Sequence, residues 1–269
     1  IINDSREEAS CVTGSDEDSV SRSHPCTGDE GGGGGGGGGS CFDSDYDGYT
    51  TCNGDCDDSD YYSNPGQLPD CTYNGDHNCN GIEDYLDCIG SPVIIDVSGN
   101  GFDLTDASAG VLFDLDSDGS RERRAWTPAN SDDAWLALDR NGNGLIDNGQ
   151  ELFGNYTPQS SSASPNGFLA LAEYDKRANG GNNDGKISEA DAIYSSLRLW
   201  QDANHNGISE PGELRRLRSL GVFSIEIDYK ESRRRDKHGN WFRYRAKVQG
   251  TQAGPWAWDV FLLRTNQGQ

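Results

Sequence analysis

From Pro92 onward the chain alternates short apolar runs with polar loops. Val93-Ile94-Ile95 and Val111-Leu112-Phe113 are unbroken apolar triplets that predict short buried strands. Gly167–Tyr174 and Ala190–Leu199 carry apolar residues at helical spacing. Glu213–Leu220 does the same, with Pro211 before it and Gly221 as a stop. The last part changes period. Phe223, Ile225, Ile227 and Tyr229 alternate with polar residues, and so do Phe242, Tyr244, Ala246 and Val248 after a turn near His238-Gly239-Asn240. Trp256, Trp258, Val260 and Leu262 form a third alternating run. This pattern predicts an antiparallel sheet of at least three strands.

Residues before Pro92 lack such periodicity. Nine consecutive glycines, Gly31 to Gly39, separate an acidic, polar start from a Cys-rich stretch. The expected organisation is an N-terminal tail with a poly-Gly linker (1–40), a Cys-rich module (41–90) and an α+β domain (91–269). The glycine run lacks side chains, so it permits close approach to another chain.

Composition sharpens this picture. Hydrophobic residues make up 33% of the 269, and the formal net charge is −23. Residues 1–90 hold 20 Asp and Glu against 2 Lys and Arg. So acidic and polar a chain needs cross-links besides a core to offset chain entropy. Its field repels phosphate, which excludes a nucleic-acid partner. The eight Cys all lie within the first 88 residues and predict disulfides of open pairing. Met is absent, which implies a removed secretory leader. No apolar run approaches the ~20 residues of a membrane span.

The second cross-link is legible in the polar loops. Calcium takes six to eight oxygen ligands, and a short loop supplies them from positions 1, 3 and 5, from the position 7 carbonyl and from a late carboxylate, with Gly at position 6 for the turn. Asp202, Asn204 and Asn206 precede Gly207, Ile208 and Glu213. Asp139, Asn141 and Asn143 precede Gly144 and Leu145, with Asp147 and Glu151 as closers. Asn182, Asp184, Lys186 and Asp191 surround Gly185, but position 1 is Gly180, so Asp175 is the expected substitute. Asp114, Asp116, Asp118, Ser120 and Glu122 form a fourth loop, and Asp96, Ser98, Asn100 and Phe102 a fifth. The Cys-rich stretch adds Asp43, Asp45, Asp47 and Tyr49, followed by Asp55, Asp57, Asp58 and Asp60. It also holds Asp76, Asn78, Asn80 and Ile82, leading to Asp84 and Asp87. A single loop of this kind is an ordinary surface turn; seven in one chain point to several Ca²⁺ ions. Magnesium prefers to keep its waters, and transition metals want His or thiolate clusters that are missing from the sequence.

The stretches SPVIIDVSGNGFDLT, WLALDRNGNGLIDNGQELFG and LRLWQDANHNGISEPGEL resemble the calcium-binding module of RTX-type self-processing secreted bacterial proteins. CFDSDYDGYTTCNGDCDDSDYYSNPG resembles the Cys-rich metal-binding motif of bacterial surface proteins, which is similar to thrombospondin type 3 repeats. The first resemblance implies calcium-triggered cleavage of an Asp-Pro bond. Here that dipeptide is Ser91-Pro92. The reaction uses the Asp carboxylate as an internal nucleophile, which serine lacks, so no self-cleavage is expected.

The expected function is therefore structural: an extracellular calcium-binding protein, not an enzyme, in a bacterial surface or extracellular assembly, with filament formation through the tail as one form. Arg215, Arg216 and Arg218, and Arg233, Arg234, Arg235 and Lys237, are either solvated charge or a dock for the acidic third of another copy. An adhesin for surface glycans is the alternative, with Trp241, Trp256 and Trp258 as its face, although at strand spacing such residues fit sheet packing better. Trp126, Trp135 and Trp200 are expected beneath the calcium loops.

Overall fold

The computed structural model describes residues 41–67, 75–79, 81, 84 and 89–265. The tail, its glycine run and the ligand positions Asn80, Ile82 and Asp87 lie outside the described residues.

Eleven strands and one α-helix are described. β1 (Val93–Asp96), β4 (Asp133–Ala137), β5 (Lys186–Ser188), β6 (Arg198–Trp200), β7 (Leu214–Arg216), β8 (Val222–Glu226), β9 (Lys230–Arg235), β10 (Trp241–Gly250) and β11 (Trp256–Phe261) form one sheet. Its order is β5-β8-β10-β11-β1-β4-β6-β7, with every pairing antiparallel. The ten-residue β10 is long enough to pair β9 along its first half and β8 along its second. β2 (Val111–Phe113) and β3 (Glu122–Arg124) form a separate hairpin.

The sheet is buried on both faces, which explains the continuous apolar triplet of β1; the triplet of β2, in the separate hairpin, exposes its central Leu112 instead. On one face Val93, Ile95, Ala134, Leu136, Leu199, Ala246 and Phe261 pack with helix α1 (Gly167–Asp175). On the other, Ile94, Trp135, Trp200, Trp258 and Val260 pack with Phe113 and Trp126 of the hairpin region. A bulge between Phe242 and Tyr244 inserts one residue into β10. It lets odd-numbered Trp241 and even-numbered Tyr244 face the same core. A second bulge, at Gln249/Gly250, leaves Phe223 without a register partner, and its side chain is exposed where strict alternation with Ile225 would bury it.

The α+β expectation is overturned. The fold is a curled, mostly β half-barrel, and its loops join strands instead of the helix pairs of an EF-hand. Two of the three expected helices fail for identifiable reasons. Asp191 is held extended because its carboxylate accepts the amides of Asn182 and Ser188, so only a 3-10 turn (Ala192–Ser195) fits before β6. Leu199 and Trp200 then face opposite cores, a period of two. At the other site, Leu214–Arg216 pairs β6 as an edge strand, and only Leu217–Leu220 turns as 3-10, with Gly221 left-handed at φ 73°.

Helix α1 forms where expected. Asn166 caps it by accepting the amides of Phe168 and Leu169, both at 3.1 Å. Gly167 is sterically required, since a Cβ there would lie 2.4 Å from Val93 Cγ2 and 2.6 Å from the Phe153 carbonyl oxygen. Its amide donates to Asp259 Oδ2 at 2.6 Å, placing a carboxylate at the positive end of the helix. Burial nevertheless pushes the Asp259 carboxyl up to about 6. A raised folded-state value means that stability is full near pH 4 and falls as pH rises through 6. The change is about 3 kcal/mol at 1.4 kcal/mol per pH unit. Asp259→Asn is expected to make stability fall less steeply with pH than in the parent, checked by urea unfolding of both without calcium from pH 4 to 7; parallel curves would refute it.

Candidate metal centre

All seven loops read from the sequence share one backbone. Position 4 is left-handed in each: Tyr46 (φ 65°), Cys79 (50°), Gly99 (73°), Ser117 (62°), Gly142 (75°), Asn183 (63°) and His205 (58°). Position 6 is left-handed too: Gly48, Gly81, Gly101, Gly119, Gly144, Gly185 and Gly207. Five of the six non-glycine residues with positive φ among the described residues fall at position 4 of such a loop. Such conformations are uncommon for side-chain-bearing residues and persist where surroundings over-determine them.

The first carboxylate organises each turn. Asp43 accepts the amides of Asp47 and Gly48, Asp114 those of Asp118 and Gly119, and Asp202 those of Asn206 and Gly207, at 2.9–3.1 Å. Asp139 accepts from Gly142 and Gly144, and Asp96 from Gly99 and Gly101. Asp76 accepts from Gly81 at 2.7 Å. In the loop that lacks an acid at position 1, Asp175 reaches in from the end of α1 and accepts from Asp184 and Gly185 at 3.1 and 2.9 Å. The position 5 side chains of five loops accept the amides of Tyr49, Ser120, Leu145, Lys186 and Ile208.

A second regularity was not visible in the sequence. In four loops a distant carboxylate accepts the amide of the loop's second residue: Asp58 from Ser44, Asp84 from His77, Glu151 from Arg140 and Glu213 from Ala203, at 2.8–3.1 Å. This one contact brings the late acid over the loop mouth whether it lies seven or fourteen residues away. Asp191 does the equivalent through Asn182. Not every candidate converges. Asp57 and Asp60 accept from Ser59, Tyr62 and Ser63 within their own turns. Glu122 lies 3.3 Å from the buried Arg124 guanidinium, which also holds Asp116 at 2.8 Å.

Two further groups belong to the loops. Asp96 is directly opposite Asp133 in the β1–β4 register, and Asp132 accepts the Asn100 side-chain amide at 3.1 Å. Burial, with Asp132 and Asp96 close by, pushes the Asp133 carboxyl up to about 7. Glu210, at position 9 of the Asp202 loop, accepts from Asn204 and Asn206. Its neighbour Glu213 is raised by burial and by sharing a hydrogen bond with Glu210. Adjacent acids at the start of a strand, and an acid at position 9, were the available signals.

Oxygens free to bind a cation are present at these mouths. Asp43, Asp45 and Asp47 bring one oxygen each within 4.8 Å of one another, and so do Asp114, Asp116 and Asp118. Buried oxygens of Asp45, Asp47, Asp55, Asp116, Asp132, Asp133 and Glu210 have no hydrogen-bond partner. Desolvation and the carboxylates of Asp47, Asp55 and Asp43 raise Asp45. An orphaned, crowded carboxylate in a protein interior is costly unless a cation neutralises it. The donor set is oxygen throughout, so these acidic groups can hold a hard metal ion.

The loops are also tied to each other and to the core. The Ser209 hydroxyl accepts the Ile146 amide at 2.6 Å and donates to its carbonyl, joining position 8 of two loops. Trp200 donates its indole N–H to Glu213 Oε2 at 3.2 Å, and Trp126 and Trp135 pack beside it. A Cys56–Cys79 disulfide links the Asp43 loop region to the Asp76 loop, and Cys41 and Cys52 are also disulfide-bonded. Such bonds persist in oxidising compartments. No described helix is long and apolar enough to cross a membrane.

Comparison with known proteins covers the same ground. Over 168 residues the chain is 40% identical to iron-regulated protein FrpA of Neisseria meningitidis serogroup C. That stretch is 60% of this chain and 14% of the relative, so the chain spans only a small part of its relative's length. The SPM domain matches residues 93–256, from β1 to the first residue of β11, a span that carries five of the seven loops. On that match, this chain belongs to the SPM domain family.

Proposed function

We propose that the chain is an extracellular calcium-binding structural module whose loops act as ionic cross-links within a bacterial surface or extracellular assembly. The observation that carries this reading is the shared left-handed backbone at positions 4 and 6 of all seven loops, with orphaned carboxylate oxygens at the mouths of four of them. Asp43, Asp45, Asp47 and Asp55 would hold one ion, and Asp114, Asp116 and Asp118 another. Asp139, Asn141, Asn143 and Glu151, and Asp202, Asn204, Asn206 and Glu213, would hold a coupled pair through Ile146 and Ser209. Calcium suits such crowded oxygen sets better than magnesium, which demands near-octahedral geometry. When bound, the ion supplies charge neutralisation and loop ordering.

Calorimetric titration of chelator-treated protein tests this directly. Several calcium ions per chain are expected, with weak or no response to zinc or copper at equal concentration. A chain that takes up no calcium would end the proposal. Asp175→Ala is expected to lose one ion, because no other acid serves position 1 of that loop; an unchanged ion count would remove Asp175 from the ligand set.

A structural role goes with an inert Ser91-Pro92 bond. Ser91 is buried and exchanges hydrogen bonds with Asn155, donating its amide at 2.8 Å and accepting the Asn155 amide at 3.1 Å. Its hydroxymethyl side chain cannot form the cyclic anhydride that an Asp would. Intact mass is expected after prolonged incubation with calcium. Fragments ending at Ser91 and starting at Pro92 would show the opposite.

A further inference from the structure

Three strands build a second site beside the Asp96 loop, whose Asp96, Gly99, Gly101 and Phe102 form one wall of it. In the β10–β11 register Arg245 faces Trp258, and in the β9–β10 register Arg234 faces Phe242. Cross-strand neighbours of this kind touch directly. The result is a ladder in which rings and guanidinium groups alternate. Arg245 lies 4.5 Å from the Trp256 ring centre and 5.4 Å from that of Trp258. Arg234 lies 5.3 Å from Trp258, 4.6 Å from Phe242 and 5.9 Å from Phe102. Stacking on rings fixes a guanidinium plane and leaves its N–H edge free for an oxyanion.

Neither arginine has an acid partner among the described residues. No ion pair or side-chain hydrogen bond engages them, and Arg245 Nε is buried without a partner. Both arginines line a cavity of about 510 Å³ together with Trp256, Trp258, Phe102, Glu231 and Ser232. That volume lies in the usual range for small-ligand sites.

We propose that this cavity binds an acidic saccharide, with the sugar carboxylate on Arg234 and Arg245. Paired guanidinium groups recognise a carboxylate by parallel N–H donation. Trp256 and Trp258 offer amphipathic surface to the C–H faces of a sugar ring. Glu231 and Ser232 offer acceptors for its hydroxyls. The same Glu231 repels acidic peptides and other dense polyanions. One carboxylate flanked by hydroxyls meets all four constraints.

The test uses the full chain in calcium-containing buffer, titrated calorimetrically with monomeric galacturonate and with sialyllactose. Neutral lactose, inorganic phosphate and an octaglutamate peptide serve as comparisons. At least one carboxylated saccharide is expected to bind at least tenfold tighter than lactose. Arg245→Gln and Arg234→Gln are each expected to weaken that binding at least tenfold, with thermal midpoints near that of the parent. Equal affinity for lactose, binding of phosphate or octaglutamate alone, or no binding of any probe would overturn the proposal. A large fall in midpoint for both variants without saccharide binding would assign the ladder to sheet stability instead. Trp256→Phe, which keeps an aromatic ring, provides a second variant should the arginine variants fail to fold. It is expected to weaken binding severalfold; unchanged binding would remove Trp256 from the site.

Discussion

Stripping divalent cations at constant ionic strength is expected to lower the thermal midpoint by about 20–40 °C. The argument is one of linkage. An ion that binds only the folded state adds about 2.7 kcal/mol at a hundredfold excess over its dissociation constant. Four or more such sites add about 10 kcal/mol, and in a domain of this size 1 kcal/mol moves the midpoint about 2–4 °C. The folded chain without ions keeps orphaned, crowded carboxylates at Asp45, Asp116 and Asp133, and their repulsion adds to the loss. Differential scanning calorimetry with and without chelator is the measurement. A midpoint that does not move would mean that the turns are held by their own Asp-to-amide hydrogen bonds. Acidification acts in the same direction, because ligands must be deprotonated to bind. Burial already raises Asp114, Glu151 and Glu213, so calcium affinity is expected to weaken as pH falls toward 5.

Trp200→Ala is the substitution with the largest expected effect. Trp200 is fully buried between Trp126 and Phe113, with ring centres 5.5 and 5.7 Å away. Deleting so large a side chain costs about 3–5 kcal/mol. The variant also removes one of the two donors to Glu213 Oε2 at the Asp202 loop, leaving the Glu210 amide. Trp200→Phe separates the two effects. It keeps most of the volume and loses the hydrogen bond, so stability is expected to fall by about 1–2 kcal/mol while ion affinity at that loop drops. Urea unfolding in excess calcium reads the first effect, and calcium titration reads the second. A Phe variant with parental ion affinity would mean that the tryptophan only fills space.

The loops were legible in the sequence because their geometry is local. Alternate acids with a glycine at position 6 specify a turn that closes on itself, and Gly144 or Gly207 marks it without reference to anything distant. The C-terminal sheet was legible for the same reason, through the alternation from Tyr244 to Val248 and from Trp256 to Leu262, although a bulge turns Phe242 to the opposite core. What escaped was set by distant partners. Ala190–Leu199 carries helical spacing, yet Asp191 is occupied by the loop before it and Leu199 and Trp200 serve two different cores. The place of Asp132 and Asp133 beside Asp96 depends on strand register, and the closing role of Asp58 on a contact fourteen residues away; no local pattern encodes either. Phe223 fits the alternation and is still exposed, because it is itself the extra residue of a bulge in β8.

The position of β1 and β11 has a mechanical consequence. These strands are antiparallel neighbours in the middle of the sheet, and Val93 pairs Asp259, so the chain enters β1 and leaves β11 at the same end. Tension applied to the two flanks would load the ladder one hydrogen bond at a time, as a zipper opens, and not all bonds together in shear. A tether containing this domain would yield at low force along that seam, starting at Gly90, whose carbonyl accepts the Leu262 amide at 3.1 Å, before the Pro92–Val260 bond at 3.0 Å.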